Sequence, residues 1–395
     1  MKRTPWRRVI AITVPAATLA TVLMMVGIEV WVRSTWDVRQ GEPDFYVADT
    51  RRGQKLSAGY DGWFAGVPVK INQLGFRDDR EYALAKGPRT FRILVLGDSV
   101  TFGHGSVFEH TYPYLLEQQL REWRPEVDWQ VWNLGVPGYN TRQEWAYLTD
   151  VVAAYVPDLV IVGFFPNDVT DNKTLPPATA WTRTRSRVLS WVRTHWYSVE
   201  WYRGAYLTLR WQVTATEGEK RRLAALGAED RPMPIGEAVA DAEAQKLTPF
   251  ETLTADQVSA ITCPSGSKPG TEGAENLQRE ANWPDFVDAV RALQAMHASG
   301  AVRLVFFLNT APPVCLDGDV FYDGGYSHVN NLFLDVMGRG VPAISSFGAF
   351  LPLRPSQMPN AGGHSLGNAN WVKASVLFAY LQTSVLPPLM AVAAP

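Results

Sequence analysis

FRILVLGDS, residues 91–99, decides how this chain is read. Six mostly apolar residues, with β-branched Ile93 and Val95 among them, run into Gly97-Asp98-Ser99, the profile of a parallel strand buried on both faces that opens into a loop. A helical stripe follows, in which Tyr112, Leu115, Leu116, Leu120 and Trp123 recur at helical spacing until Pro125 stops them. The alternation then repeats. Residues 129–134 and 158–165 read as strands on either side of a helix over 142–155. Downstream come a helix over 286–297, a strand over 302–308, a helix over 331–337, a short strand over 342–347, and a last helix with Val372, Val376, Leu377, Tyr380 and Leu381 on one face. Parallel crossovers need helices, and those helices must bury their stripes. The pattern therefore predicts a three-layer α/β/α domain around a five-stranded parallel sheet.

Composition agrees with a large packed core. Of 395 residues 46% are hydrophobic and 12% aromatic, too apolar for a solvated or disordered chain. Lys and Arg number 37 against 39 Asp and Glu, a net charge of −2, so nothing draws the whole chain to nucleic acid. Two cysteines, Cys263 and Cys315, exclude a cysteine metal cluster and a disulfide framework; a single bridge or two free thiols remain.

Residues 9–28 carry no charge, close to the roughly 20 residues a helix needs to cross about 30 Å of hydrocarbon. Lys2, Arg3, Arg7 and Arg8 precede this stretch, while Glu29, Arg33 and Asp37 follow it. That bias leaves the N-terminus in the cytoplasm and the rest on the periplasmic or extracellular side. Trp6, Trp31 and Trp36 flank the stretch as interfacial anchors do. A cleaved signal would carry a shorter apolar region of about 7–15 residues; either reading exports the remainder. The expected organisation is a tail over 1–8, a transmembrane anchor over 9–30, a lead-in over 31–88 and the α/β/α domain over 89–388.

Between residues 170 and 283 the helix–strand rhythm breaks for far longer than the roughly 12–15 residues of an ordinary connection, so this is a large helical insertion. Its first part interleaves Trp181, Trp191, Trp196, Trp201 and Trp211 with Arg183, Arg185, Arg187, Arg193, Arg203 and Arg210. Two readings stay open: a helical lid with solvated arginines, or helices lying on a membrane surface. His195 among the tryptophans reads as a packing residue.

Ligands of an open parallel sheet meet the loops beyond the carboxyl ends of its strands. Those loops bring Ser99, the Asn133…Gly138 turn, Asn167-Asp168 and, before the last helix, His364 to one predicted edge. A serine needs an imidazole to take its proton, and the oxyanion it creates needs preorganised donors. A glycine at 138 and a neutral amide at 167 are residues that can supply them. Asp98 and Asp168 read as turn or capping residues, and Ser99 itself has a capping alternative. His104 and His110 read as surface residues of the following loop.

The order and spacing of these blocks, Gly97-Asp98-Ser99 with Gly103, Asn133…Gly138, Asn167-Asp168 and His364, resemble the SGNH, or GDSL-type, hydrolase family, over most of the exported chain outside the insertion. Asn72-x-x-Gly75-Phe76-Arg77 resembles the lead-in of a membrane-anchored bacterial branch. The resemblance implies a flavodoxin-like sheet and an ester hydrolase working through a Ser99 acyl-enzyme without metal or organic cofactor. It implies His364 as general base and the N–H groups of Ser99 and Gly138 with the Asn167 amide as oxyanion hole. An acylated envelope glycan or lipid, carrying O-acetyl or another small acyl group, is the expected substrate. Two departures stand out. Phe165-Pro166 replaces the usual glycine before Asn167, and Ala361 stands where the family places the aspartate that orients the histidine. Loss of that aspartate costs about 10⁴ in rate in the serine-protease triad. Asn360, a backbone carbonyl or an aspartate from residues 317–323 is left to replace it, and His328 is a rival base. Transfer of the acyl group to a sugar hydroxyl, or a non-catalytic glycan-binding or assembly role, stays open beside hydrolysis.

Overall fold

The computed structural model describes residues 6–170, 172, 179–214, 272–310, 326–353, 360–361 and 364–392. Helix α1 (Trp6–Thr35) continues past residue 30; its portion Ala11–Thr35 is long and apolar enough to cross a membrane, with a mean hydropathy of 2.0 and none of its most apolar window buried. Two antiparallel hairpins follow, β1 (Tyr46–Asp49) with β2 (Gly53–Leu56) and β3 (Asp61–Phe64) with β4 (Val67–Lys70). Neither strand of the first hairpin alternates in a way that marks a buried face.

The central sheet consists of β5 (Thr90–Gly97), β6 (Asp128–Gly135), β7 (Leu159–Phe164), β8 (Leu304–Leu308) and β9 (Ala343–Ser345), in the order β6-β5-β7-β8-β9 and parallel throughout. Successive residues of a strand face opposite layers, and both layers here are apolar. Leu94 and Leu96 point into one core with Trp132, Val160, Val162 and Phe306, covered by α4 (Thr141–Tyr155), α9 (Trp283–Ala298) and α10 (Tyr326–Met337). Ile93 and Val95 point into the other with Ile161, Val305 and Phe307, covered by α3 (Tyr112–Trp123) and α12 (Gly367–Tyr380). The chain reverses its direction of winding after β6, so the crevice for a ligand opens at the carboxyl ends of β5 and β7.

Four shorter helices are α2 (Ser99–Phe102), α5 (Asn167–Thr170), α8 (Glu272–Arg279) and α11 (Phe347–Phe350), and the described chain ends in α13 (Leu386–Val392). Of the insertion, α6 (Ala180–His195) and α7 (Tyr197–Thr214) are described, with α8 at its far end. The possible Cys263–Cys315 bridge and the aspartates of residues 317–323 lie outside the described residues.

Candidate active site

The turn after β5 divides its work between two residues. Asp98 caps α2, its carboxylate accepting the Val100 N–H at 2.8 Å. Ser99 is therefore not needed as the cap. Its Oγ instead lies 2.8 Å from Nε2 of His364, across 265 positions of chain. His364 sits on β11 (His364–Ser365), which pairs antiparallel with β10 (Asn360–Ala361) in the register Ala361↔His364. Alanine at the paired position brings no carboxylate to the ring.

The lead-in and the last helix hold these two loops together. Arg77, 1% exposed, donates from Nη1 to the carbonyls of Phe102 and Gly103 and from Nη2 to that of Ser106, so one guanidinium braces the whole turn behind Ser99. Asn370 on α12 donates to Ser106 Oγ at 3.1 Å and to the Ser365 carbonyl at 3.0 Å, tying the hairpin of His364 to the same turn. Below it, the Asn309 amide reaches Thr101 Oγ1 at 3.3 Å, and Thr101 Oγ1 lies 2.9 Å from the Tyr112 hydroxyl.

The sheet register pairs Gly97 with Gly135 on β6 and with Gly163 on β7, so the three loops beyond these strands start at one level. Gly135 permits close contact: a Cβ there would meet the Phe102 nitrogen at 2.3 Å. Gly138 adopts φ +81°, a left-handed conformation that turns the loop at little cost only for glycine. The β1–β2 hairpin braces this loop from outside, with Gln54 Nε2 donating to the Pro137 carbonyl at 3.3 Å and the Tyr139 hydroxyl donating to the Gln54 carbonyl at 2.6 Å. Asn167 opens α5 directly beyond β7, and Asp168 accepts the Phe165 N–H at 3.3 Å, a turn role as expected.

Electrostatics beneath the serine is dominated by burial. Asp98 is pushed up by desolvation, against the Val100 N–H, the charge of Lys373 and the Asn167 amide. Lys373, 1% exposed on α12, is pulled down to about 7 by burial, against the attraction of Asp98. Glu144 on α4 is buried with no hydrogen-bond partner for either carboxylate oxygen among the described residues, and desolvation together with Asp98 raises it well above the carboxylate range.

His104 is the residue sequence reasoning missed. Read as a surface residue, it stacks on His364 with ring centroids 4.3 Å apart and 28° between planes, and Phe64 of β3 packs edge-on against it at 5.4 Å. Burial, and then the charges of His364 and Arg77, lower it to about 3, so its ring is neutral beside the imidazole it covers. The only signal was its position five residues after Ser99, in a turn that Gly103 reverses with φ +82°. His328 is exposed on α10, and it is His364 that meets Ser99. His195 is exposed rather than packed in a core, with its ring on Trp191 at 4.7 Å. Among the described residues, no group of three His, Cys, Asp or Glu side chains is arranged to hold a metal.

Residues 95–224 match the model of the GDSL-like Lipase/Acylhydrolase family. Comparison with curated proteins gives no match. Among solved structures the chain is similar to an alpha/beta hydrolase enzyme from the metagenome of Lake Arreo, Spain, at 15% identity and a TM-score of 0.36, over 73% of this chain and 94% of that one. It is similar to an acetylxylan esterase from Geobacillus stearothermophilus at 11% identity and 0.36, over 75% and 95%. A two-domain esterase active on acetylated mannans matches at 11% and 0.35, over 75% of this chain and 50% of that one.

Proposed function

We propose that the chain is an ester hydrolase with Ser99 as its nucleophile and His364 as its general base, a reading supported by the match of residues 95–224 to the GDSL-like Lipase/Acylhydrolase family. The 2.8 Å approach of Ser99 Oγ to His364 Nε2 carries this reading and favours it over a non-catalytic role. His364 takes the hydroxyl proton as Oγ attacks the ester carbonyl carbon. The oxyanion so formed is received by the N–H groups of Ser99 and Gly138 and the Asn167 amide, donors fixed before the charge develops. His364 then passes its proton to the departing alkoxide, leaving the acyl group on Ser99. Water repeats the cycle, giving its proton to His364 and releasing the acid. Where the family uses an aspartate to orient the base, support here comes from the Ser365 carbonyl held by Asn370 and from the His104 ring on its face.

Helix α1 anchors the domain in a membrane with the site on the side away from the cytoplasm, a reading supported by its length and hydropathy and by the cluster of Lys2, Arg3, Arg7 and Arg8 before it. A catalytic edge tethered there acts on O-acetyl or another small acyl ester of an envelope glycan or lipid. The test is labelling of the full chain with a fluorophosphonate probe, together with p-nitrophenyl acetate turnover. Wild type reacts in both and Ser99→Ala in neither; labelling that persists in Ser99→Ala sinks the assignment of the nucleophile.

A further inference from the structure

We propose that α6 and α7 form a basic amphipathic hairpin that lies on the anionic lipid surface where α1 leaves the bilayer. This rests on the membrane part of the reading above and extends it to a second, independent contact.

The level is set by α1. A span that starts at Ala11 leaves the hydrocarbon about 20 residues later, near Val30. At that point α7 is fastened to α1. The Glu29 carboxylate accepts the N–H groups of Tyr197 at 3.0 Å and Ser198 at 2.9 Å, capping the first turn of α7, and also accepts Arg33 Nε at 2.6 Å. Arg33 in turn donates to the His195 carbonyl at 2.5 Å, and Trp31 meets Trp201 edge-on at 5.7 Å. The start of α7 is thus held at headgroup height.

From there α7 presents an uncovered stripe. Tyr202, Tyr206, Leu209 and Val213, spaced four, three and four residues apart, fall on one face and are 51%, 62%, 60% and 76% exposed. On α6, Trp181 and Trp191 are likewise 72% and 57% exposed, while the helix rests against residues 43–49 of the lead-in. A lid closing on its own domain would bury such a stripe. Charge identifies the occupant: residues 179–214 contain six arginines and one acidic residue, Glu200, in a chain whose net charge is −2. Exposed aromatics flanked by arginine, at the foot of a spanning helix, match the interface of an anionic bilayer, where an apolar face sinks into the headgroup boundary and basic side chains meet phosphate.

The experiment uses the full chain in lipid nanodiscs, with photoreactive p-benzoylphenylalanine in place of Leu209 or, in parallel, of Leu19 in α1. The discs hold phosphatidylcholine alone or phosphatidylcholine with phosphatidylglycerol. Lipid adducts at both positions are expected, with the yield at 209 severalfold higher in the anionic discs and that excess removed by Arg203→Gln with Arg210→Gln. Lipid adducts at 19 but none at 209, or adducts from 209 to this domain or to a second copy, overturn the hairpin proposal and leave the anchor standing. Equal lipid yields at 209 in the two discs overturn its anionic preference. No lipid adduct at either position takes down the anchor reading as well.

Discussion

Arginine and tryptophan serve two opposite ends in this molecule. At the sheet, Arg92 lies 4.1 Å over the ring of Trp132, both fully buried, and its guanidinium is spent on the carbonyls of Ala83, Leu84 and Tyr155 and on Gln130. Arg77 is similarly enclosed among the carbonyls behind Ser99. In α6 and α7 the same two residue types stand outward, Trp181 and Trp191 exposed and Arg203 paired only at the surface with Glu200. A buried guanidinium is tolerable only when most of its donors are satisfied, as both Nη groups of Arg77 are, so the first arrangement specifies one rigid geometry. The second specifies none by itself; it acquires its meaning from what lies outside the protein.

If the rigid region is the catalytic one, damage there must be large. His364→Ala is expected to lower kcat for p-nitrophenyl acetate by at least about 10³-fold, by analogy with loss of one member of a serine-hydrolase triad. Asn167→Ala follows, at about 10² to 10³-fold in kcat with KM little changed, because an oxyanion donor acts on charge present only in the transition state. A comparable loss of kcat in Trp191→Ala, on the exposed side, would break the contrast.

The same contrast explains what could be read in advance. All five sheet strands and the helices around them were legible, because strands buried on both faces must be apolar without interruption, as in Leu94, Val95 and Leu96, and amphipathic helices must repeat every turn. Spacing and family resemblance singled out Ser99, Gly138, Asn167 and His364; Ser99 and His364 lie 2.8 Å apart, and the loops of Gly138 and Asn167 begin at the same edge of the sheet. The bracing of that edge was not. Arg77, Gln54, Asn370 and His104 act through backbone carbonyls or ring faces, contacts that any polar or aromatic residue makes and that leave no periodicity. The replacement of the family aspartate by Ala361 shows the same limit, since a missing carboxylate is visible in sequence whereas the ring stacked on the histidine is not.

Stability separates the two kinds of arginine more directly. Arg77→Met leaves three carbonyls behind Ser99 without their donor and is expected to cost about 3 kcal/mol or more. Arg203→Gln removes a surface pair and is expected to stay within about 0.5 kcal/mol. Thermal unfolding of the detergent-solubilised chain measures both; similar costs would mean that α7 is packed as tightly as the sheet.

The last expected effect appears only at acidic pH. His104 is held neutral in the folded chain down to about 3, by burial and by the charges of His364 and Arg77 beside it, whereas in the unfolded chain it takes up a proton below about 6.5. Between those values the unfolded state binds the extra proton, so its contribution is fully present above pH 6.5 and is lost as the pH falls toward 3. His104→Phe keeps a ring for His364 to stack on and cannot titrate. The wild type should therefore lose up to about 1.4 kcal/mol per pH unit relative to this variant across that window, with the two curves parallel above it. Parallel curves throughout would mean that the His104 ring is hydrated in the folded chain, and the enclosure of the site on the side of Phe64 would have to be abandoned.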